Sequence, residues 1–360
     1  MYIKSIETVD VAIPLTKPFK TALRTVTTAY SVYVTITTSN GIVGYGEAPP
    51  THVITGESMD SIRYAINEII APQLIGMNIL QSEQVFQKLN TVLVRNTSAK
   101  AAVDMAIHDI LAKYAGVPLY QFLGGYRDAL ETDFTVSVND PTEMADDAER
   151  YIKNGFNVLK VKVGIGAIKD DIERIRAIRE RVGMTPKLRL DANQGWNAKE
   201  AVKAIGLMED AGLSIEFVEQ PVSAWDLEGL KYVTDRTHTP IMADESVFSV
   251  HDAIRVLNMR AADLINIKLM KSAGIYNAQK INTFAEANGV KCMVGSMIET
   301  KLGITVAAHF AASKANIRYF DFDAPLMLAN DLIVGGVIYE KSIMTFSNEP
   351  GLGIAHVNLD

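Results

Sequence analysis

The spacing of apolar and polar residues divides the chain into two regimes. In the first 50 residues the period is two: Ile3 to Ile13 and Ser31 to Thr38 alternate, and Ser39-Asn40-Gly41 marks a turn before Ile42 to Glu47. This predicts three strands of a β-meander. The segment Lys17 to Thr25 between the first two is polar and carries a proline, so it is expected to be a mobile loop. From Met59 to Ala115 the period becomes helical, as in Ile62, Ala65, Ile66, Ile69 and again across Ala102 to Leu111. Strands followed by helices make a small α+β unit, with Gly124-Gly125 as its boundary.

From Thr132 onward strand and helix alternate strictly. Strands are expected at 132–138, 157–163, 187–191, 215–219, 240–244, 263–268, 291–294 and 318–321. Helices are expected between them at 141–154, 168–182, 198–211, 227–234, 250–259, 273–288 and 302–313, with Asp140-Pro141 and Asn197 placed as N-caps. Eight strands joined by seven helices predict an α/β barrel, a modified TIM barrel of (β/α)7β type. An open doubly wound sheet is disfavoured, because no full G-x-G-x-x-G turn follows any strand. The expected organisation is a capping domain over 1–125, the barrel over 126–324 and a C-terminal segment, 325–360, that returns to complete the capping domain.

At 360 residues, 48% hydrophobic and 21% charged, the chain has ample material for a core. A net charge of −7 and a pI near 5.5 argue against nucleic acid or an anionic membrane as the main partner. The N-terminus MYIKSIETVD lacks a signal-peptide apolar region, and no apolar run reaches the roughly 20 residues of a membrane span. The expectation is a cytoplasmic protein acting on a small molecule. Its single cysteine, Cys292, excludes an internal disulfide.

Candidate chemistry lies where the barrel strands end. Lys160 and Lys162 share one parity of the strand 157–163, and Lys268, Asp191, Glu219, Asp244, Ser296, Asp321 and Asp323 stand at or just past other strand ends. The lysines could simply face water on an edge strand, and each acid alone reads equally well as a turn or cap residue. Three successive strands ending in carboxylates are harder to dismiss, because the anions repel unless a cation sits among them. Hard oxygen donors without histidine or cysteine suit Mg²⁺ rather than zinc. The second and sixth strands face each other across an eight-stranded barrel, so Lys162 and Lys268 would flank a bound carbon acid. A neighbouring cation is expected to depress the lysine pKa towards working pH.

The motifs Lys160-Val161-Lys162, Asp191-Ala192-Asn193, Glu219-Gln220-Pro221, Asp244-Glu245-Ser246 and Asn266-Ile267-Lys268 resemble the enolase superfamily, in its muconate-lactonizing branch. The resemblance covers essentially the whole chain. It implies Lys162 and Lys268 as the catalytic bases and one Mg²⁺ per subunit on Asp191, Glu219 and Asp244. Asp321-Phe322-Asp323 resembles the dipeptide epimerases, in which such a pair holds the α-ammonium of the substrate. Arg24 resembles the residue that pairs with a glutamate side chain in those acting on Ala-Glu, and Thr135, Lys160, Ser296 and Ile298 are implied to line the same pocket. The implied reaction is epimerisation of the C-terminal residue of a dipeptide, L-Ala-D-Glu to L-Ala-L-Glu. It would proceed by two-base proton transfer through a metal-stabilised enediolate, by a homo-oligomer in murein peptide metabolism. The rivals are a cycloisomerase, o-succinylbenzoate synthase or N-acylamino-acid racemase of the same branch, a Schiff-base aldolase through Lys268, and a non-catalytic barrel.

Overall fold

A computed structural model describes residues 1–358. The first sheet is antiparallel, β1 (Ile3–Lys20), β2 (Thr25–Thr38) and β3 (Val43–Ala48), in that order. The helix Thr97–Ala115 lies directly on β3. Its approach needs glycine at Gly44 and Gly46, since a Cβ on either would collide with the Ala106 or Ala102 carbonyl. That contact closes a core of Val32, Val34, Ile36, Ala102, Ala106 and Ile110, all fully buried.

One expectation is corrected here. Lys17 to Lys20 belong to β1 and Thr25 opens β2, with Phe19 opposite Val26 and Lys20 opposite Thr25, leaving only a short turn at 21–24. The Thr21 hydroxyl accepts from Leu23 N and Arg24 N and fastens that turn. Phe19 is buried, so the hairpin has an apolar side that the local polarity conceals.

After a short strand, β4 (Ala129–Glu131), come eight parallel strands. They are β5 (Phe134–Val136), β6 (Val158–Lys162), β7 (Lys187–Asp191), β8 (Ile215–Glu219), β9 (Ile241–Ala243), β10 (Leu264–Ile267), β11 (Lys291–Val294) and β12 (Ile317–Phe320). Each pairs with its sequence neighbour, and a helix fills every connection, giving the (β/α)7β order. Asp140 and Asn197 cap their helices through backbone amides two and three residues on. The helix expected over 273–288 forms as Ile275–Ala287, starting two residues late. A short turn, Leu269–Ser272, precedes Ile275–Ala287, because Ala273 adopts a left-handed backbone with φ 61°.

Register delivers the site. Lys162 on β6 is level with Asp191 on β7, and Asp191 is level with Glu219 on β8. Met242 on β9 is level with Glu219, so Asp244 stands two residues further, on the same face. β6 is an interior strand, hydrogen-bonded on both sides, so its lysines point into the barrel rather than into water.

Buried acids tie the first module to the rest. Asp104 accepts from Ile275 N and Tyr276 N at the start of a barrel helix, at 2.6 and 3.3 Å. Asp109 accepts from Leu352 N of the tail at 2.9 Å, and Leu119 N donates to Gly351 O. The tail also builds β13 (Ile333–Gly335), β14 (Ile338–Glu340), β15 (Ile343–Thr345) and β16 (Ile354–Val357). Because β15 pairs with β4, the tail holds the strand that leads into the barrel as well as the first module.

Candidate active site

The strand ends and the β1–β2 turn line one cleft. Arg24, Thr135, Lys160, Lys162, Lys268, Ser296, Ile298, Asp321 and Asp323 all line it. Asp191, Glu219 and Asp244 lie fully buried beneath, interleaved with the lysines. Lys160 Nζ sits 2.8 Å from Asp321 Oδ2, 2.8 Å from Glu219 Oε2 and 3.1 Å from Asp191 Oδ2. Lys162 Nζ donates to Asp191 Oδ2 at 2.6 Å and lies 5.8 Å from the centre of the Phe19 ring. Lys268 Nζ donates to Asp244 Oδ2 at 2.7 Å.

β12 ends at Phe320, so Asp321 and Asp323 lie just beyond the strand rather than alternating along it. They still meet at the cleft. Asp323 Oδ2 accepts Thr135 N at 2.6 Å. Burial and the neighbouring Asp321 carboxylate push Asp323 up to about 7.

Several functional neighbours escaped the reading of the sequence. Lys271, on the short turn after Lys268, pairs with Asp244 Oδ1 at 2.6 Å and donates to the Asp244 and Asn266 carbonyls. Asn266 Nδ2 donates to Glu219 Oε1 at 2.7 Å, and Gln220 Oε1 accepts Asp244 N at 2.8 Å. Level with Lys160 on the neighbouring strand, Arg189 pairs with Asp133 at 2.8 Å and lies against the Phe217 and Tyr319 rings. Asn266, Gln220 and Glu245 sit inside or beside the recognised motifs, which was the available signal. Asp133 and Arg189 carried none.

The charges bear on what the site can hold. Buried together are Asp133, Asp191, Glu219, Asp244, Glu245, Asp321 and Asp323 against Lys160, Lys162, Lys268, Lys271 and Arg189. The acids outnumber the cations, so without a further cation they cannot all be ionised at modest cost. Burial and then Asp191 push Glu219 up to about 8, while burial and then Asp244 push Glu245 up to about 7. Against the cost of burial, Lys162 and Lys160 hold Asp191 at about 2. Because ammoniums lie between the acids, no three carboxylates among the described residues converge on one point. Glu219 Oε2 and Asp244 Oδ1 nevertheless make only ion-pair contacts, without an aligned hydrogen bond. Hard, incompletely bonded oxygens and an excess of acids over cations fit Mg²⁺.

The expected depression of the lysine pKa is not found for Lys268 or Lys160. Burial opposes the charge on Lys268, but Asp244 outweighs it and raises the value. Lys160 is likewise raised, against its burial, by Asp321, Glu219 and Asp191. The adjacent carboxylates, absent from the simple argument about neighbouring cations, decide the sign.

Comparison with known proteins agrees with this architecture. Residues 3–124 match the mandelate racemase / muconate lactonizing enzyme N-terminal domain, and residues 143–357 match the enolase C-terminal domain-like family. The chain is 63% identical to the L-Ala-D/L-Glu epimerase of Bacillus subtilis strain 168, over 98% of its own length and 97% of that protein. The solved substrate-liganded complex of the Bacillus subtilis enzyme superposes with a TM-score of 0.99, covering all of both chains. A dipeptide epimerase from Enterococcus faecalis V583, solved with Mg and L-Leu-L-Tyr, gives a TM-score of 0.96 at 44% identity, over 99% of this chain and 100% of that one.

Proposed function

Because the chain belongs to the enolase superfamily, in its mandelate racemase / muconate lactonizing enzyme division, we propose that it is a dipeptide epimerase interconverting L-Ala-D-Glu and L-Ala-L-Glu. One observation carries the chemistry. Lys162 and Lys268, from the second and sixth barrel strands, are turned into a single cleft, each hydrogen-bonded to a different acid of the arc between them. Two amines on opposite sides of one carbon are what inversion by proton transfer requires.

In this reading Lys162 takes the α-proton of the (R) epimer and Lys268 that of the (S) epimer. The opposite lysine, as its ammonium, returns a proton to the other face. The Asp244 contact sets the aim of Lys268, and the Asp191 contact that of Lys162. Lys271 and Gln220 hold Asp244, and Asn266 holds Glu219, so the acids present a fixed array. Asp191, Glu219 and Asp244 would hold a single Mg²⁺, which would supply positive charge where negative charge accumulates on the C-terminal carboxylate of the substrate as the α-proton leaves.

Asp321 and Asp323 receive the α-ammonium. Two buried carboxyls at that end favour a free amine over the N-acyl substrates of related enzymes. Arg24, from the β1–β2 turn, receives the glutamate side chain. The test is incubation of L-Ala-L-Glu with the protein and Mg²⁺ in D₂O. Inversion with α-deuterium in both epimers is expected, and no α-deuterium in either would refute the reading.

A further inference from the structure

Behind the substrate-facing wall Ser296–Ile298, two carboxyls from different modules meet. Glu47, at the end of β3, is fully buried and accepts from Thr300 N at 2.9 Å, Thr300 Oγ1 at 2.6 Å and Gly303 N at 2.7 Å. The Tyr33 hydroxyl, 2.6 Å from Thr300 Oγ1, extends the chain back into the first sheet. Glu299 is also buried, and its Oε1 accepts Met297 N at 2.9 Å. Its Oε2 has no hydrogen-bond partner. Both carboxyls crowd the bare Cα of Gly303, where a Cβ would strike Glu299 Oε2 and press on Glu47 Oε2.

Among the described residues, no Lys, Arg or His nitrogen lies within 4.0 Å of either acid. The ionisable groups facing Glu299 are Glu47 from β3, Asp321 beyond β12 and Lys268 beyond β10, and the last is committed to Asp244. Two buried carboxylates side by side with no counter-cation cannot both be ionised at modest cost. The donors decide which one keeps its charge. Glu47 has three and fits the anion, whereas Glu299 has one donor and a bare oxygen facing another carboxylate.

We propose that Glu299 is a positioning residue held as the neutral acid, its Oε2 proton directed at Glu47, so that the pair locks the wall Ser296–Ile298 to the capping sheet. Burial and then Glu47 push Glu299 up to about 8, which agrees with the donor count. The consequence reaches the substrate through Ser296, whose hydroxyl donates to Asp321 O at 3.3 Å. Loosening Glu299 therefore disturbs the residues that receive the ammonium and leaves the two lysines in place.

The protonation claim is tested without any turnover, so its failure is distinct from failure of the epimerase reading, on which only the kinetic arm rests. Between its ordinary value near 4.5 and about 8, Glu299 keeps a proton in the fold that the unfolded chain releases, so this group costs stability as pH rises. Glu299→Gln removes that cost, and the other buried acids cancel in the comparison. The melting temperature of E299Q relative to wild type should climb by about 5 °C from pH 5 to pH 8. A difference that stays flat or falls overturns the neutral acid. In kinetics, Gln keeps the acceptor for Met297 N and a donor towards Glu47, so E299Q should hold KM and kcat within about twofold. Glu299→Ala should raise KM about tenfold with kcat nearly unchanged. If E299Q is as impaired as E299A, or E299A lowers only the melting temperature, the positioning role is overturned.

Discussion

Replacing Arg24 by methionine isolates the residue that should select glutamate. Arg24 lines the cleft, burial alone lowers its guanidinium pKa, and among the described residues no carboxylate lies within 4.0 Å of it. A desolvated cation without a counter-charge is poised for an anionic ligand. A charge-assisted contact of this kind contributes about 1.5–3 kcal/mol, so R24M should lower kcat/KM for L-Ala-L-Glu roughly ten- to 150-fold. The contact is remote from the α-carbon and should form equally in ground and transition states, so the loss should appear in KM. L-Ala-L-Leu, with no side-chain charge, should be converted by R24M at least as well as by wild type. The assay is a panel of L-Ala-X dipeptides in D₂O with Mg²⁺, scored for α-deuterium by mass spectrometry. An unchanged ratio of Glu to Leu turnover would refute the role of Arg24.

Three further outcomes are open to direct measurement. Asp321→Asn leaves Lys160 with two carboxylate partners and removes a charge from the ammonium end, and it should cost about 2–5 kcal/mol in kcat/KM for a free dipeptide. Mg²⁺ at a hundred times its dissociation constant should stabilise the protein by about 2.7 kcal/mol in thermal melts, a shift that EDTA and Asp244→Asn both abolish. Burial holds His309 down at about 3, with its Nδ1 accepting Tyr120 N. Below about pH 6.5 the unfolded chain takes up a proton that the folded ring refuses, so this contribution is complete above pH 6.5 and is lost down to about pH 3. Relative to His309→Leu, wild type should lose about 2 kcal/mol between pH 7 and pH 5 in chemical denaturation, with no such slope if the ring is protonated in the fold.

The barrel was legible because its elements announce their own ends. β7, β8 and β11 fall on their expected residues, since each is a short segment of apolar residues, interrupted by charges in β7 and β8, that is closed by a charge or a glycine. The cleft followed from register, as strands ending in Lys162, Asp191 and Glu219 bring those side chains level once they pair in sequence order. What the pattern concealed depends on distant partners. The extension of β1 to Lys20 is set by β2, and Phe19 reads as an isolated aromatic until the hairpin forms. Glu47, Asp104 and Asp109 carry no periodic signal, because their partners are backbone amides far along the chain. The upward push of Asp244 on Lys268 was hidden for the same reason, since that acid reaches it only through the fold.

The two-base arrangement is tested most directly by following each epimer of L-Ala-Glu separately in D₂O with Lys162→Ala and Lys268→Ala. Each variant should fail to invert the substrate yet still exchange the α-proton of one epimer, K268A that of D-Glu and K162A that of L-Glu. Exchange of the same epimer by both variants, or inversion by either, would contradict an amine on each face of the stereocentre.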